Sequence, residues 1–364
     1  MIFVKTAERD HKRDVVDCRL VVERVVVQSR SVIASVTFRN FKALRNTSLV
    51  LAPFNLVVGP NGSGKTSLIQ ALHLLRSLAK LPATVTARTT TPFESPEMVF
   101  RFAPPFDAVE AELGCSSDFV CDLLRVKSPS PALWTGTRNE VLRIRSFLFD
   151  HCAMAEPALL ADGDKLAFNA GNLAAVLRLR DRKDFERLEA EFCRLLPEFS
   201  GLGFREVPIG RVQLVAVLRD PKDQISAENL SQGTLYVLAT LALAFDPAPP
   251  SIICLEEIDR GIHPRLLREI RDALYRLSYP ESFGEKRSPV QIVATTHSPY
   301  LLDLFKDHPE EVVIAQKEGQ EARFERLVDR PDFQELLSEG PLGDIWFSGI
   351  LGGVPEEKLP EDSK

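Results

Sequence analysis

Gly59-Pro60-Asn61-Gly62-Ser63-Gly64-Lys65-Thr66 fits the pattern G-x-x-x-x-G-K-[ST]. The residues before it, FNLVVG (54–59), read as a buried strand. The residues after it, from Lys65 to Leu81, place Leu68, Ile69, Leu72, Leu75 and Leu78 on helical spacing. A strand, a glycine-rich turn and a helix in that order form a cradle for phosphate. The glycines let successive backbone N–H groups turn inward, and the helix N-terminus adds partial positive charge. In such a cradle Lys65 reaches the β- and γ-phosphates, and the Thr66 hydroxyl ligates Mg²⁺. The nucleotide site is therefore expected on Gly59, Pro60, Asn61, Gly62, Ser63, Gly64, Lys65, Thr66 and Ser67.

Three later elements narrow the chemistry. Leu230-Ser231-Gln232-Gly233-Thr234 precedes an all-apolar helix, TLYVLATLALAF (234–245). Serine and glycine at a helix start can offer a hydroxyl and free N–H groups to an anion, although an ordinary N-cap has the same composition. SIICLEE then ends a buried strand on adjacent carboxylates, Glu256 and Glu257. Successive side chains at a strand end point opposite ways, so one can face a metal and the other a water. QIVATTHSP puts His297 at the end of another buried strand.

Strands and helices alternate along the rest of the chain, which predicts an α/β fold with a doubly covered sheet. VVDCRLVVERVVV (15–27) has strand composition and is read either as an extra edge strand or, in preference, as a poorly ordered extension. ATVTARTTTPFESPE (83–97) and SPSPALWTGT (128–137) are expected as loops, residues 156–197 as helical, and VVIAQ with ARFERL as a hairpin around KEGQ. The mixed charges from Arg178 to Glu189 suit a solvated helix face. Asp162-Gly163-Asp164 reads as a turn.

Composition removes several classes. With 45 basic and 51 acidic side chains the formal charge is −6, against a generally basic nucleic-acid binder. The six cysteines are scattered without CxxC, and His151 beside Cys152 lacks metal-ligand spacing, so free thiols in a reducing compartment are expected. No apolar run reaches the roughly 18 residues of a membrane span, and the charged N-terminus is not a signal peptide, so a cytoplasmic protein is expected.

Together these residues resemble the ABC-type ATPases. The most similar branch is the RecF/SMC/OLD-like one, in particular the prokaryotic AAA-family ATPases called AAA_21 and AAA_15. VTFRNFKAL, GPNGSGKTS, LSQGT, EEIDRGIHP, ATTHSPYLL and GDIWFSGILGG carry the resemblance over residues 33–353. It implies a P-loop NTPase with a β-rich lobe and a helical lobe. The parts would be an N-terminal extension (1–32), an N-terminal lobe with the P-loop (33–155), a helical insertion (156–202), a C-terminal lobe (203–330) and a tail (331–364). It also implies a head-to-tail homodimer or higher homo-oligomer closing on ATP and Mg²⁺. Ser231, Gln232 and Gly233 of one copy would complete the site of the other. Thr66 and Glu256 would hold the metal, Glu257 would activate water, and His297 would sense the γ-phosphate.

The sequence departs from the family at a few places. Glu256 stands where ABC ATPases at large carry Asp, which suggests slow turnover. No glutamine lies between Gln70 and Gln213, so the glutamine of the lobe junction is absent; Glu94 and Glu97 are candidates to replace it. The expected output is control of a separate effector, a nuclease or toxin, in anti-phage defence or a toxin–antitoxin system. A DNA-linked RecF/SMC-like ATPase and a nucleotide-gated scaffold are the alternatives, and nucleic acid is left open as a ligand. No nuclease activity is expected of this chain, because no second carboxylate cluster accompanies Glu256 and Glu257.

Overall fold

The computed structural model describes residues 31–81 and 95–351. The valine-rich segment 15–27 and most of the loop read at 83–97 lie outside those residues. Strand β1 (Ile33–Phe41) turns back into β2 (Leu44–Val50), and β3 (Phe54–Val58) leads through the glycine-rich loop into α1 (Lys65–Ala79). A meander of β4 (Glu97–Phe102), β5 (Glu110–Ser117) and β6 (Val120–Lys127) comes next, then α2 (Pro131–Leu142) and β7 (Ile144–Phe147). The middle of the chain forms α3 (His151–Ala155), β8 (Ala158–Leu159), α4 (Leu173–Leu179), α5 (Arg182–Leu195), β9 (Phe199–Val207), β10 (Arg211–Leu218) and β11 (Gln224–Ser226). The remainder is α6 (Gln232–Ala244), β12 (Ile252–Leu255), α7 (Pro264–Ser278), β13 (Gln291–Thr296), α8 (Pro299–Asp303), β14 (Val312–Glu318), β15 (Glu321–Arg326), α9 (Phe333–Glu339) and α10 (Leu342–Phe347).

Eleven strands join in the order β6-β5-β4-β1-β2-β15-β14-β3-β13-β12-β7. The run from β14 to β7 is parallel, and β1, β2, β4, β5 and β6 are antiparallel. A second sheet orders β11-β10-β8, with β9 on β10. Side chains alternate across the large sheet as a two-residue period requires. Phe54, Leu56 and Val58 enter one apolar core with α6 and α7, while Val57 enters the other with α1. Both faces of the parallel strands are thus covered, which explains their continuous apolar sequences.

Three local expectations are corrected. Residues 156–197 are helical only in α4 and α5; before them the chain forms the short strand β8, paired with β10, and a 3₁₀ turn. SPSPALWTGT is mostly helix α2. Ser130 caps it, its hydroxyl accepting the Leu133 N–H at 3.2 Å, and Pro131 sits at the first helical position, where no N–H is needed. Pro131, one of the two prolines that suggested a loop, starts a helix instead. The all-free reading of the cysteines also fails, because the β5–β6 hairpin places Cys115 against Cys121 and the two form a disulfide. Cys152, Cys193 and Cys254 are free. Asp162 closes a short 3₁₀ turn and Gly163 caps it, in keeping with the turn expected there. No helix among the described residues is long and apolar enough to cross a membrane.

Candidate functional site

The carboxyl ends of β3, β12 and β13 lie side by side, the usual ligand edge of a parallel sheet. The glycine-rich loop leaves β3 here. Gly62 and Gly64 have φ of 76° and 88°, a left-handed backbone that glycine adopts without strain. Gly59 answers a different need: a Cβ there would lie 2.3 Å from the Ala315 carbonyl oxygen on β14.

Lys65 is nearly buried, and its ammonium donates to the carbonyls of Gly59 (2.7 Å) and Pro60 (2.8 Å). Burial lowers its pKa to about 8, with the Glu257 carboxylate pulling it back upward. Ser63 is fully buried, and its hydroxyl has no partner among the described residues.

The Thr66 hydroxyl donates to Glu256 Oε2 at 3.0 Å. Burial pushes the Glu256 carboxyl above its ordinary range, against the Thr66 hydrogen bond, and the neighbouring Glu257 adds to the rise. Glu257 begins a turn with φ 51°, in the left-handed region; its N–H donates to Thr295 Oγ1 at 3.0 Å, and Arg260 stands 3.7 Å from its carboxylate. The pKa of His297 is lowered by burial first and by Lys65 second, with Asp259 and Glu257 opposing.

These groups surround a cavity of about 220 Å³, lined by Asn61, Gly62, Gly64, Lys65, Thr66, Ser67, Glu256, Glu257 and His297, with Lys42, Ala43 and Thr295. Residues read from separate motifs are therefore brought together. Gly59, Pro60 and Ser63 do not line it: the first two accept from Lys65, and Ser63 is buried. Ser231, Gln232 and Gly233 do not line this cavity. Ser231 caps α6, accepting the Thr234 N–H at 3.1 Å, and Gly233 packs against Gly261.

Lys42 also lines the cavity, although the sequence alone gives it no role. It sits in the β1–β2 turn with φ 54° and also reaches Gln70. It belongs to the VTFRNFKAL stretch, but position in a turn carries no charge-specific signal. Glu97 is not at the site: Arg39 holds it at 3.1 Å, and burial beside Glu112 raises its pKa. Glu94 lies outside the described residues. The consecutive residues Asp150, His151 and Cys152 each bring one potential ligand atom within 4.8 Å of the others, although the sequence alone gives this pair of His and Cys no metal role. Asp150 is already engaged there, accepting the Cys152 N–H at 2.9 Å.

Comparison with known proteins agrees with this geometry. A family model described as "AAA domain, putative AbiEii toxin, Type IV TA system" matches residues 129–303, and one described as "AAA ATPase domain" matches 32–122. The chain is 53% identical over 38 residues to the DNA replication and repair protein RecF of Erwinia tasmaniensis, a stretch covering 10% of each protein. An Smc head bound to the C-terminal winged-helix domain of ScpA is similar in fold, with TM-score 0.54, 17% identity, and coverage of 81% of this chain and 97% of that one. An Smc head with an extended coiled coil, bound to the C-terminal domain of ScpA derived from Pyrococcus furiosus, gives TM-score 0.52, 14% identity, and coverage of 85% and 99%. The phosphate-binding loop, the strand-end carboxylates and the two matched AAA segments converge on an ATPase similar to those AAA families, with the fold of an Smc head.

Proposed function

We propose that this ATPase closes as a head-to-tail homodimer on two ATP molecules and thereby controls a separate effector. The observation that carries the reading is the composition of the cavity. It gathers Lys65, Thr66, Glu256, Glu257 and His297, yet Ser231, Gln232 and Gly233 stand elsewhere on the same chain. A second copy would bring those three residues to the phosphates. The site of one chain would then be incomplete alone.

Each residue has a task in this arrangement. The loop N–H groups and Lys65 hold the β- and γ-phosphates. The hydroxyl of Thr66 and the carboxylate of Glu256 are hard oxygen donors 3.0 Å apart, a pair that fits Mg²⁺. The metal, when bound with ATP, would neutralise phosphate charge. Glu257 orients and deprotonates the attacking water. His297 contacts the γ-phosphate. Both carboxylate oxygens of Asp332 are taken by Arg330 at 2.9 and 2.7 Å, and Asp162 lies in a 3₁₀ turn, so neither stands at a strand end as Glu256 and Glu257 do. This supports assigning any cleavage to a partner.

The effector reading, toward defence or a toxin–antitoxin system, is supported by the likeness of residues 129–303 to the AAA domain of a putative AbiEii toxin family. The RecF stretch favours a second reading, a DNA-linked ATPase, which stimulation of turnover by DNA would distinguish. Mixed subunits test the shared site. Lys65→Ala lacks a working phosphate loop, and Ser231→Arg lacks a working signature. Each alone should be inactive. Mixed, they should regain one working site per heterodimer. Heterodimers that form but stay inactive would overturn the shared site.

A further inference from the structure

The turn that carries Glu257 is clamped from two sides. On one side β13 holds it. The Ile258 N–H donates to the Thr295 carbonyl at 3.1 Å, and Thr296 Oγ1 donates to Asp259 Oδ1 at 2.5 Å. Within the turn, the Arg260 N–H donates to the Glu257 carbonyl at 2.9 Å, and the Ile262 N–H to the Asp259 carbonyl at 3.1 Å. On the other side lies the start of α6. Gly261 has φ 66°, and a Cβ there would lie 2.7 Å from Cδ and 2.8 Å from Cγ of Gln232. A Cβ on Gly233 would lie 2.6 Å from the Gly261 carbonyl oxygen. The side chain of Gln232 therefore rests on the bare Cα of Gly261, and the two backbones meet with no side chain between them.

We infer that Gln232 is a positioning residue for its own chain's Glu257. It ties the Ser231–Gly233 turn to the Glu257–Ile262 turn. The consequence rests on the shared-site reading above. In that arrangement Ser231–Gly233 of one chain serve the nucleotide of the other, while Glu257 serves its own. The Gln232–Gly261 contact then joins the two sites through one polypeptide. Engagement of the signature at one ATP shifts the turn that sets the hydrolytic carboxylate at the second. Packed contacts of this kind transmit small shifts because they lack space to absorb them. Coupling is reciprocal for binding, so nucleotide at either site favours the same turn position.

The contact also accounts for Gln232 itself. A direct role toward phosphate needs an amide donor. A packing role needs only the length of the side chain over Gly261. The two roles separate by which chain carries the change.

The test uses the mixed heterodimer of Lys65→Ala and Ser231→Arg subunits. Its one working site takes the phosphate loop and Glu257 from the Ser231→Arg chain and the signature from the Lys65→Ala chain. Gln232→Ala placed in the Ser231→Arg chain lies away from the working signature but on the same polypeptide as the working Glu257. There it should lower kcat by up to about 10²-fold, the scale of a catalytic group misplaced by about 1 Å, with KM for ATP unchanged. Gln232→Met in that chain keeps the length without the amide and should restore kcat. If Gln232→Ala slows turnover only when placed in the Lys65→Ala chain, Gln232 acts on the nucleotide in trans and the inference is wrong. The same holds if Met behaves as Ala does in the Ser231→Arg chain. A parent mixture with no activity at all, despite heterodimers, would instead refute the shared-site reading, a distinct outcome.

Discussion

The Thr66 hydroxyl donates to Glu256 Oε2 at 3.0 Å, joining the first turn of α1 to the end of β12 across 190 residues of sequence. Two motifs that are separate in the chain become one oxygen-donor pair at the base of the phosphate cavity. Glu257, the next residue, leaves the strand in a left-handed turn and is held by Thr295. The backbone therefore divides two adjacent carboxylates between two environments.

That division predicts different defects. Glu257→Gln keeps the shape but cannot take a proton, so turnover should fall by about 10²–10⁴ while ATP binding persists. Glu256→Gln should weaken the response to Mg²⁺, and raised Mg²⁺ should recover part of the rate. Steady-state hydrolysis over a Mg²⁺ titration separates them. Normal turnover in Glu257→Gln with none in Glu256→Gln would reverse the two roles.

Lys65 sets a pH dependence. Burial lowers its pKa to about 8 in the free protein, and bound phosphates favour the ammonium, so the pKa of the complex lies higher. ATP affinity should be complete below about pH 8. It should fall as pH rises through that value, by at most about tenfold per unit for one proton. Calorimetric titration with ATP in the presence of a chelator reads this directly. Lys65→Ala should bind weakly and lose that step. An unchanged affinity in Lys65→Ala would remove the phosphate loop from the account.

Gly59 is a packing requirement as well as a loop residue. Gly59→Ala would place a methyl group 2.3 Å from the Ala315 carbonyl oxygen and 2.8 Å from its Cβ. Overpacking of this kind costs about 1–3 kcal/mol. The melting temperature should drop, and ATP affinity with it, because the loop must shift off β14. A variant that melts and binds as the parent does would show that β14 yields freely there.

Much of this site is legible in the sequence because its chemistry sits at strand ends. Apolar runs mark β3, β12 and β13, and each run ends on a chemically distinct group: a glycine-rich loop, two carboxylates or a histidine. The hairpin of β14 and β15 is legible for a similar reason, since KEGQ interrupts two strand-like runs. Helix α2 is hidden because the serines and prolines leading into it, Ser128 to Pro131, have loop composition, although Ser130 and Pro131 form a start signal. The Cys115–Cys121 pair depends on hairpin register, which spacing alone does not fix. The seat of Gln232 on Gly261 has no sequence signal at all, because it joins residues from a helix start and a turn that only the fold brings together.

Purified protein with ATP and Mg²⁺ or Mn²⁺ should leave plasmid and single-stranded DNA intact. Asp162 ends a short 3₁₀ turn, and Asp162 and Asp164 belong to no cluster of three or more metal-ligating side chains among the described residues, as metal-assisted cleavage would need. Cleavage that is lost in the Asp162→Ala/Asp164→Ala variant but survives Lys65→Ala would reveal a second active site in that turn.

The most direct measurement is the mass of Glu257→Gln protein by sedimentation, with and without ATP and Mg²⁺. A cavity completed by Ser231–Gly233 of a second copy predicts that saturating ATP doubles the mass, and that Ser231→Arg added to the same chain abolishes the doubling. A protein that is saturated with ATP by calorimetry yet keeps the same mass would contradict the shared site.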